Sequence, residues 1–462
     1  MNTQLKEDLA QLANLLELAK TNGLDFLNQL PDRFTSTSYS PNPTTELNQT
    51  GLGAGKVLEL FKSTHEPLIV GSSGPRYWGF VTGGATPASI VGDMLATFYD
   101  QNTQSVSGQG DVSALIETET INLLLDLLGL PEDFFGGFVT GATLSNFTSL
   151  AVARQWVGKK QGIDIARNGI TNRIPIFSAS PHSSAIKSLS MLGIGSNQVD
   201  LVKALPGNRE AMEVSDLAEK LSQLGNQPSI VIASAGTVNT VDFDDFMAIS
   251  ELKKQYKFWL HIDAAFGAFA ACSPQHKDLL NGWETADSIT VDCHKWLNVP
   301  YDNAFFLVKK EHRICQVETF QNSNAPYLGD PMDKFTYLNF LPENSRRLRA
   351  LPVWFTLKAY GKNGYREIVE NSIRMANLFS NYIESKSELQ LLAPTRLNNV
   401  VFTIKNQDPA DFLSAINATG KVFMTPTVYK GTKGIRASFV NWRTNENDIS
   451  MVAEEIDKLL AV

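Results

Sequence analysis

Short apolar runs alternate with helical patterns through the middle of the chain. Several of these runs are apolar at nearly every position, which is typical of strands in a sheet covered on both faces. Strands that alternate with helices predict an α/β domain with a mostly parallel sheet, here of seven strands. The predicted strands lie at 138–140, 174–180, 198–202, 229–236, 258–265, 288–292 and 304–308. Ligands bind beyond the carboxyl ends of such strands, so chemistry is expected just after each run.

The pattern changes at both ends of the chain. Leucines at helical spacing predict an amphipathic helix over 4–20, and the Pro-, Ser-, Thr- and Asn-rich stretch at 31–50 indicates a linker or arm. After about residue 345, helices are predicted at 349–382, 409–418 and 445–460, with strand-like runs at 399–404, 421–429 and 434–440. We therefore expect an N-terminal helical segment and arm (1–65), a large domain (66–345) and a small C-terminal α+β domain (346–462).

Composition and charge narrow the class of protein. A chain of 462 residues is too long for one compact core, and a net charge of −8 argues against nucleic acid as its main partner. No apolar run approaches the ~20 residues of a membrane helix, and the start of the chain lacks the pattern of a signal peptide. Cys272, Cys293 and Cys315 form neither a disulfide framework nor zinc spacing, which indicates a cytoplasmic protein without a metal site.

Two charged residues stand at the ends of apolar strands. Asp263 closes one run before Ala264 and Ala265, and a buried carboxylate there needs a cationic partner such as a protonated pyridine nitrogen. Lys295 follows the run at 288–292, and a buried lysine that forms an imine becomes a covalent anchor. Taken singly, the aspartate is equally well explained as a helix cap and the lysine as half of an ion pair.

Two further strand ends carry weaker signals. The small residues at 140–146 let backbone N–H groups and a helix N-terminus approach an anion, although such residues are common at strand–helix turns. His182 follows the run at 174–180 and has the shape to lie flat on an aromatic ring. A lone histidine in that place is more often an ordinary hydrogen-bonded residue.

Taken together and in order, these motifs resemble a known family. Lys295 follows Asp263 by 32 positions, a spacing similar to that of fold-type I enzymes dependent on pyridoxal 5′-phosphate (PLP). The full order resembles their group II decarboxylases, which include aromatic-L-amino-acid and glutamate decarboxylases. The resemblance runs from about residue 75 to 441. Its motifs are PRYWGF (75–80), GATLSN (141–146), HSS (182–184), AGT (235–237), HIDAA (261–265), HKWL (294–297) and IRASF (435–439).

The resemblance implies an aspartate-aminotransferase-like fold and a role for each matching residue. Lys295 would hold PLP as a Schiff base, Asp263 would pair with the pyridine nitrogen, and His182 would stack on the ring. Thr237 and Ala265 would line the ring, while Ala142, Thr143 and His294 would contact the phosphate. Tyr327 matches a catalytic tyrosine in a lid at about 321–334, whose Asn, Pro, Gly and Asp content suits a lid. Trp78, Phe80 and Arg436 would contact the substrate.

One position departs from the family pattern. The family often has Asn-Pro-His-Lys where this chain has Asp292-Cys293-His294-Lys295. A carboxylate at Asp292 that pointed inward would repel a phosphate. We therefore expect Asp292 to turn away from the phosphate or to be offset by donors.

The predicted reaction is decarboxylation of an L-amino acid to the amine and CO₂, with aromatic amino acids as the preferred class. Tyr77, Trp78 and Phe80 match the family's substrate wall, although aromatic residues there are almost as well explained as core. Glutamate or another amino acid is the alternative substrate, and aldehyde synthase or aminotransferase the alternative reaction. A non-catalytic PLP-binding paralogue is a further alternative. The uncovered N-terminal segment and the resemblance together predict a homodimer with shared active sites.

Overall fold

The computed structural model describes residues 2–39, 45–47, 49–104, 112–321 and 336–461. Within these residues the first α-helices are α1 (Thr3–Ala10), α2 (Leu12–Gln29), α3 (Ala54–Thr64), α4 (Pro87–Tyr99), α5 (Ser113–Leu128), α6 (Ala142–Lys160) and α7 (Ile165–Asn168). They are followed by α8 (Ser183–Met191), α9 (Val214–Leu224), α10 (Phe246–Lys253), α11 (Arg313–Phe320), α12 (Ala350–Glu384), α13 (Pro409–Ala418) and α14 (Glu446–Leu460).

The larger sheet has seven strands and confirms the predicted sheet. Its strands are β1 (Phe134–Val139), β2 (Ile176–Ser178), β3 (Val199–Leu201), β4 (Ser229–Ser234), β5 (Phe258–Asp263), β6 (Ser288–Asp292) and β7 (Ala304–Lys309). Their spatial order is β1-β7-β6-β5-β4-β2-β3, and β7 alone among them runs opposite to the other six. Every residue of β4, β5 and β6 is buried, because helices cover both faces.

The smaller sheet is antiparallel throughout. Its strands are β8 (Leu389–Leu391), β9 (Asn399–Ile404), β10 (Thr425–Tyr429) and β11 (Thr432–Ser438), in the order β10-β11-β9-β8. A core that includes Phe379 of α12, Phe412 of α13 and Ile456 of α14 covers one face. Asn445 caps α14 in a reciprocal capping box with Asp448, as the predicted helix start required.

The N-terminal helices differ from the single helix predicted over 4–20. Two helices, α1 and α2, extend to Gln29 with a break at Gln11, and α3 follows the predicted arm. None of the residues in these three helices is buried. In the described ranges, no helix combines the length and the apolar character that a membrane span requires.

The sheet brings the predicted chemistry to one edge. Because β7 is antiparallel to both β1 and β6, strands β1, β2, β4, β5 and β6 all end on the same side. The helices α6 and α8 begin just after β1 and β2, with their N-termini at that edge. Residues from five strand ends therefore converge on one site.

Candidate active site

A cavity of about 630 Å³ opens at this edge of the sheet. Seven residues predicted for the site line it: Phe80, His182, Thr237, Asp263, Ala265, Lys295 and Arg436. The Lys295 side chain is 14% exposed, and its Nζ lies 3.0 Å from Asp292 Oδ2. The lysine amine therefore reaches the cavity while a carboxylate balances its charge.

Asp263 ends β5 in the wall of the cavity, where it is 8% exposed. Its Oδ2 accepts a hydrogen bond from Asn146 Nδ2 at 3.0 Å, and its Oδ1 accepts one from the backbone N–H of Ala265 at 3.2 Å. Each oxygen keeps a further lone pair. The carboxylate is thus held in place and can still accept from a ligand.

His182 caps the N-terminus of α8 at the mouth of the cavity. Its Nδ1 lies 2.7 Å from Ser184 Oγ and 3.2 Å from the backbone nitrogen of Ser184. Desolvation lowers the pKa of His182 below its usual value, against the opposing effect of Asp263. The imidazole is therefore neutral at neutral pH.

The N-terminus of α6 lies beside Asp292. The backbone N–H of Ala142 donates to Asp292 Oδ1 at 2.6 Å, and His294 Nε2 lies 3.6 Å from the same oxygen. Of the two expectations for Asp292, the structure agrees with the second: the carboxylate is surrounded by donors and has not turned away. The buried His294 Nδ1 has no hydrogen-bond partner in the described part of the chain, and burial lowers the pKa of this histidine.

One predicted site residue, Trp78, lies away from the cavity. Trp78 is 1% exposed and packs against Phe379 and Phe439 in the core of the smaller sheet, so the expected substrate contact is corrected to a structural role. The indole N–H donates to the carbonyl of Pro75 at 2.9 Å, which satisfies the polar group of this buried ring. Tyr327 lies outside the described residues.

The segment before α4 forms the remaining wall. Phe80 is 61% exposed and, like Val81, has a φ of 57°, which is strained for a residue with a side chain. A Cβ at Gly83 would collide with the carbonyl oxygen of Lys295, and the Gly83 N–H donates to the His294 carbonyl at 3.2 Å. The close contact fastens the strained segment directly to the strand end that carries the lysine.

Sequence reasoning missed an acidic residue in the cavity. Glu210 Oε2 accepts hydrogen bonds from the Thr237 and Thr240 hydroxyls, each at 2.6 Å. Burial lowers the pKa of the neighbouring Arg436 to about 10, while Glu210 acts in the opposite direction. Glu210 belongs to a loop without periodicity or motif, so nothing in the sequence marked it.

The cavity suits a flat cofactor with an aldehyde, a ring nitrogen and an anionic group. Lys295 offers the amine, Asp263 the partner for a ring nitrogen, and Ala265 a wall without bulk. The partnerless His294 Nδ1 suits the anion, whereas the first N–H of α6, on Ala142, is already donated to Asp292, and Ala142, Thr143 and His294 lie behind the residues that line the cavity. This arrangement on this α/β fold defines a fold-type I PLP-dependent enzyme.

Comparison with known proteins identifies the family. Residues 44–405 match the family described as "Pyridoxal-dependent decarboxylase conserved domain". The chain belongs to this family and is a PLP-dependent amino-acid decarboxylase. It is 29% identical to an aromatic-L-amino-acid decarboxylase of Bacillus atrophaeus, with 94% of this chain and 92% of the relative covered. It is 26% identical to a 3,4-dihydroxyphenylacetaldehyde synthase of Aedes aegypti, with 95% and 88% covered.

A solved structure confirms the fold. The crystal structure of Oryza sativa TDC with PLP and tryptamine superposes with a TM-score of 0.89 at 19% identity, covering 98% of each chain. A likeness at this identity concerns the fold alone.

Proposed function

We propose that the protein decarboxylates an aromatic L-amino acid to the corresponding amine and CO₂. The observation that carries the proposal is the position of Phe80, an exposed aromatic ring held by a strained backbone in the wall of the lysine-bearing cavity. Its ring centroid lies 5.8 Å from that of Phe423, so the wall continues into an aromatic surface. Such a surface favours a planar apolar side chain.

The proposed roles combine the positions of the cavity residues with the family motifs, and the motifs alone assign Ala142, Thr143 and His294. When bound, PLP supplies the electron sink that makes loss of CO₂ feasible. Lys295 holds the cofactor, the Asp263 carboxylate keeps the ring nitrogen protonated, and His182 packs on the ring. Thr237 and Ala265 line the ring, and Ala142, Thr143 and His294 bind the phosphate end.

The substrate is oriented by groups at the cavity mouth. Arg436 donates from Nη1 to the Val238 carbonyl at 3.2 Å, which fixes one end of the guanidinium and leaves the other toward the cavity. We assign Arg436 to an anionic group of the substrate and Phe80 to its side chain. Tyr327 is proposed to supply the proton that replaces CO₂ at Cα.

The test is a substrate panel. The protein loaded with PLP is incubated with each of the twenty amino acids, and CO₂ release and amine are measured. The proposal expects the highest kcat/KM with Trp, Tyr or Phe. A preference for glutamate, or amine from none of the aromatic amino acids, would refute it.

An aldehyde synthase is the second candidate, because two relatives carry such a name, a phenylacetaldehyde synthase and a 3,4-dihydroxyphenylacetaldehyde synthase. The two reactions differ in stoichiometry: oxidative decarboxylation consumes O₂ and water and releases aldehyde, CO₂, ammonia and H₂O₂, whereas simple decarboxylation releases amine and CO₂. Peroxide measured alongside amine in the same assay separates them. Equimolar aldehyde and peroxide with no amine would assign the second function.

We also propose a homodimer with shared active sites. No residue of α1, α2 or α3 is buried, and Leu9, Leu12 and Leu16 present apolar side chains to solvent. On α4, beside the strained segment, Val91, Met94 and Phe98 are also exposed. A second copy that covers both surfaces would bury them and lie beside the cavity.

The remaining assignments concern organisation and location. We propose domain boundaries near 66 and 346, since the seven-stranded sheet ends at Lys309 and the four-stranded sheet begins at Leu389. We propose a cytoplasmic location, which the three free cysteines support. Limited proteolysis and cell fractionation test these two assignments.

A further inference from the structure

We propose that a directional chain of hydrogen bonds behind the cavity fixes His182 as the tautomer with its proton on Nε2, through Ser184, Asn146 and His261 as positioning residues. The inference rests on the roles proposed above for His182 and Asp263. From the far end to the cavity, the members are Trp259, Ser288, His261, Asn146, Ser184 and His182. The first four are fully buried, so water does not compete for their hydrogen bonds.

The chain begins at an indole. Trp259 Nε1 lies 2.8 Å from Ser288 Oγ, and an indole N–H can only donate. Ser288 Oγ therefore accepts this bond and has its own hydrogen to give. His261 Nδ1 lies 2.8 Å from the same oxygen and is in place to accept that hydrogen.

Asn146 determines the direction of the next link. Its Nδ2 lies 3.0 Å from Asp263 Oδ2, and an ionised carboxylate only accepts, so the nitrogen end of the amide must face Asp263. The amide oxygen then faces His261 Nε2 at 2.9 Å, and this ring nitrogen must carry the proton. Burial lowers the pKa of His261 to about 4, so the neutral ring has one proton and its Nδ1 accepts from Ser288.

Ser184 transmits the direction to the cavity. The second N–H of Asn146 donates to Ser184 Oγ at 3.0 Å, so the Ser184 hydroxyl gives its hydrogen to His182 Nδ1 at 2.7 Å. The Ser184 backbone N–H, at 3.2 Å, points to the same ring nitrogen. Two donors leave no room for a hydrogen on Nδ1. The proton of the neutral imidazole therefore lies on Nε2.

One amide group, that of Asn146, therefore positions both Asp263 and His182. A single nitrogen of Asn146 gives one hydrogen to Asp263 and the other to Ser184, so a rotation of that amide would disturb the carboxylate and His182 together. With its proton fixed on Nε2, His182 offers the cavity a hydrogen-bond donor and no lone pair. It can bind a carboxylate oxygen and cannot act there as a base.

The test measures the tautomer directly. Protein labelled with ¹⁵N in its histidine rings and loaded with PLP is studied by NMR, with His182 assigned by comparison with His182→Gln. We expect a protonated Nε2 and an unprotonated Nδ1. The groups that face His182 with charge are Asp263, Asp292, Lys295 and Arg436. A hydrogen on Nδ1 at neutral pH would overturn the proposal.

The first matched pair of variants is Ser184→Ala and Ser188→Ala. Both remove a buried hydroxyl from α8, but Ser188 Oγ donates to the carbonyls of Thr143 and Ser184 and lies outside the chain. Without its donated bond the neutral ring is less favoured, so Ser184→Ala should shift the His182 titration to higher pH. It should lower kcat/KM about fivefold, as one net hydrogen bond would. Identical titrations for the two variants would refute the link.

The second pair probes the far end. Ser288→Ala breaks the chain, whereas Ser229→Ala removes a buried hydroxyl that has no hydrogen-bond partner in the described ranges. His261→Gln keeps a donor for Asn146 and should restore most of the kcat/KM that His261→Leu loses. If His261→Leu does not fold, the His182 titration in Ser288→Ala, compared with that in Ser229→Ala, decides whether the chain reaches His182. Failure of every substrate with the expected tautomer present would refute the proposed function and leave this inference standing.

Discussion

At the scale of residues, the site depends on how each charge is balanced. Lys295 and Asp292 form a pair within 3.0 Å, and Asp292 also accepts from the α6 N-terminus. A charge in such a wall is tolerated only with a partner. Asp292 thus holds the Lys295 amine in the cavity when no ligand is bound.

Lys295→Ala should abolish the visible absorbance of the PLP-loaded protein and reduce kcat by about 10³-fold or more, because Lys295 is the one lysine among the described residues that line the cavity. The control is Lys187→Ala, which removes an exposed lysine from α8. Borohydride reduction of wild type followed by peptide mass spectrometry should find the cofactor on Lys295. Recovery of the label on a different lysine would disprove the assignment.

Tyr327→Phe should divert product from amine to aldehyde. A phenol with a pKa of ~10 stays protonated at neutral pH and can donate, whereas phenylalanine keeps the shape without the proton. With protonation slowed, O₂ competes and H₂O₂ appears. Products are analysed under air, with the exposed Tyr99→Phe as control. Full amine yield without peroxide would mean that another group supplies the proton.

Buried His261 should make stability fall with acid. The pKa of His261 is about 4 in the folded protein, against an ordinary value of 6.5. Below pH 6.5 the unfolded chain therefore binds a proton at this histidine that the folded protein does not bind. This contribution is fully present above pH 6.5 and is lost as the pH falls toward 4, a loss of about 3 kcal/mol. Burial raises the pKa of Asp244 to about 6, which acts oppositely over much of the same range.

The His261 contribution is therefore measured as a difference. Urea midpoints of wild type and His261→Gln are compared across this pH range, which cancels the effect of Asp244. Wild type should lose more stability toward acid than the variant. Parallel curves would contradict the lowered pKa.

At the scale of elements, the sequence predicted the presence of the strands better than it predicted their first and last residues. The seven apolar runs became β1 to β7, since buried parallel strands are apolar on both faces. β1 begins at Phe134, four residues before the prediction, because Gly136 and Gly137 look unlike strand interior. In the fold, a Cβ on Gly136 would collide with the Phe306 carbonyl, so glycine is needed there for close strand packing.

The site was predictable where a single residue carried its chemistry. Asp263, Lys295 and His182 stand at strand ends, which the apolar pattern locates. Glu210 and the partners of Asn146 depend on contacts between residues far apart in the chain, which no local pattern records. Trp78 was misplaced because an aromatic motif does not indicate which way its ring points.

Gly136→Ala should test the strand packing. The added methyl group has no space, so we expect a loss of about 1–3 kcal/mol, measured as a lower urea midpoint. Gly23→Ala is the control, since a Cβ at Gly23 meets nothing within 4 Å and alanine favours the helix there. A neutral Gly136→Ala would show that β1 can move away from β7.

At the scale of the whole molecule, the N-terminal helices require a partner surface. Leucines 9, 12 and 16 are exposed in the single chain, and a stable protein rarely leaves such a stripe uncovered. The three helices account for the first part of the chain and contribute no buried residue to the single chain.

Light scattering should therefore give twice the mass of one chain. The double variant Leu9→Asp, Leu16→Asp should dissociate and lose activity, because a charge in the covered face costs several kcal/mol. Asn28→Asp adds one negative charge, against two in the double variant, at an exposed polar position of α2 and should stay dimeric. A fully active wild-type monomer would contradict the proposal.

The contact of Gly83 with the strand end that carries Lys295 limits how this protein can diverge. Phe80 can be exchanged for other side chains. Each replacement would change the surface that faces the substrate, while the distance between this wall segment and Lys295 stays the same. Position 83 has no such freedom, because any side chain there collides with the lysine carbonyl. Proteins that descend from this sequence can therefore change their substrate specificity while the wall segment stays at the same distance from Lys295.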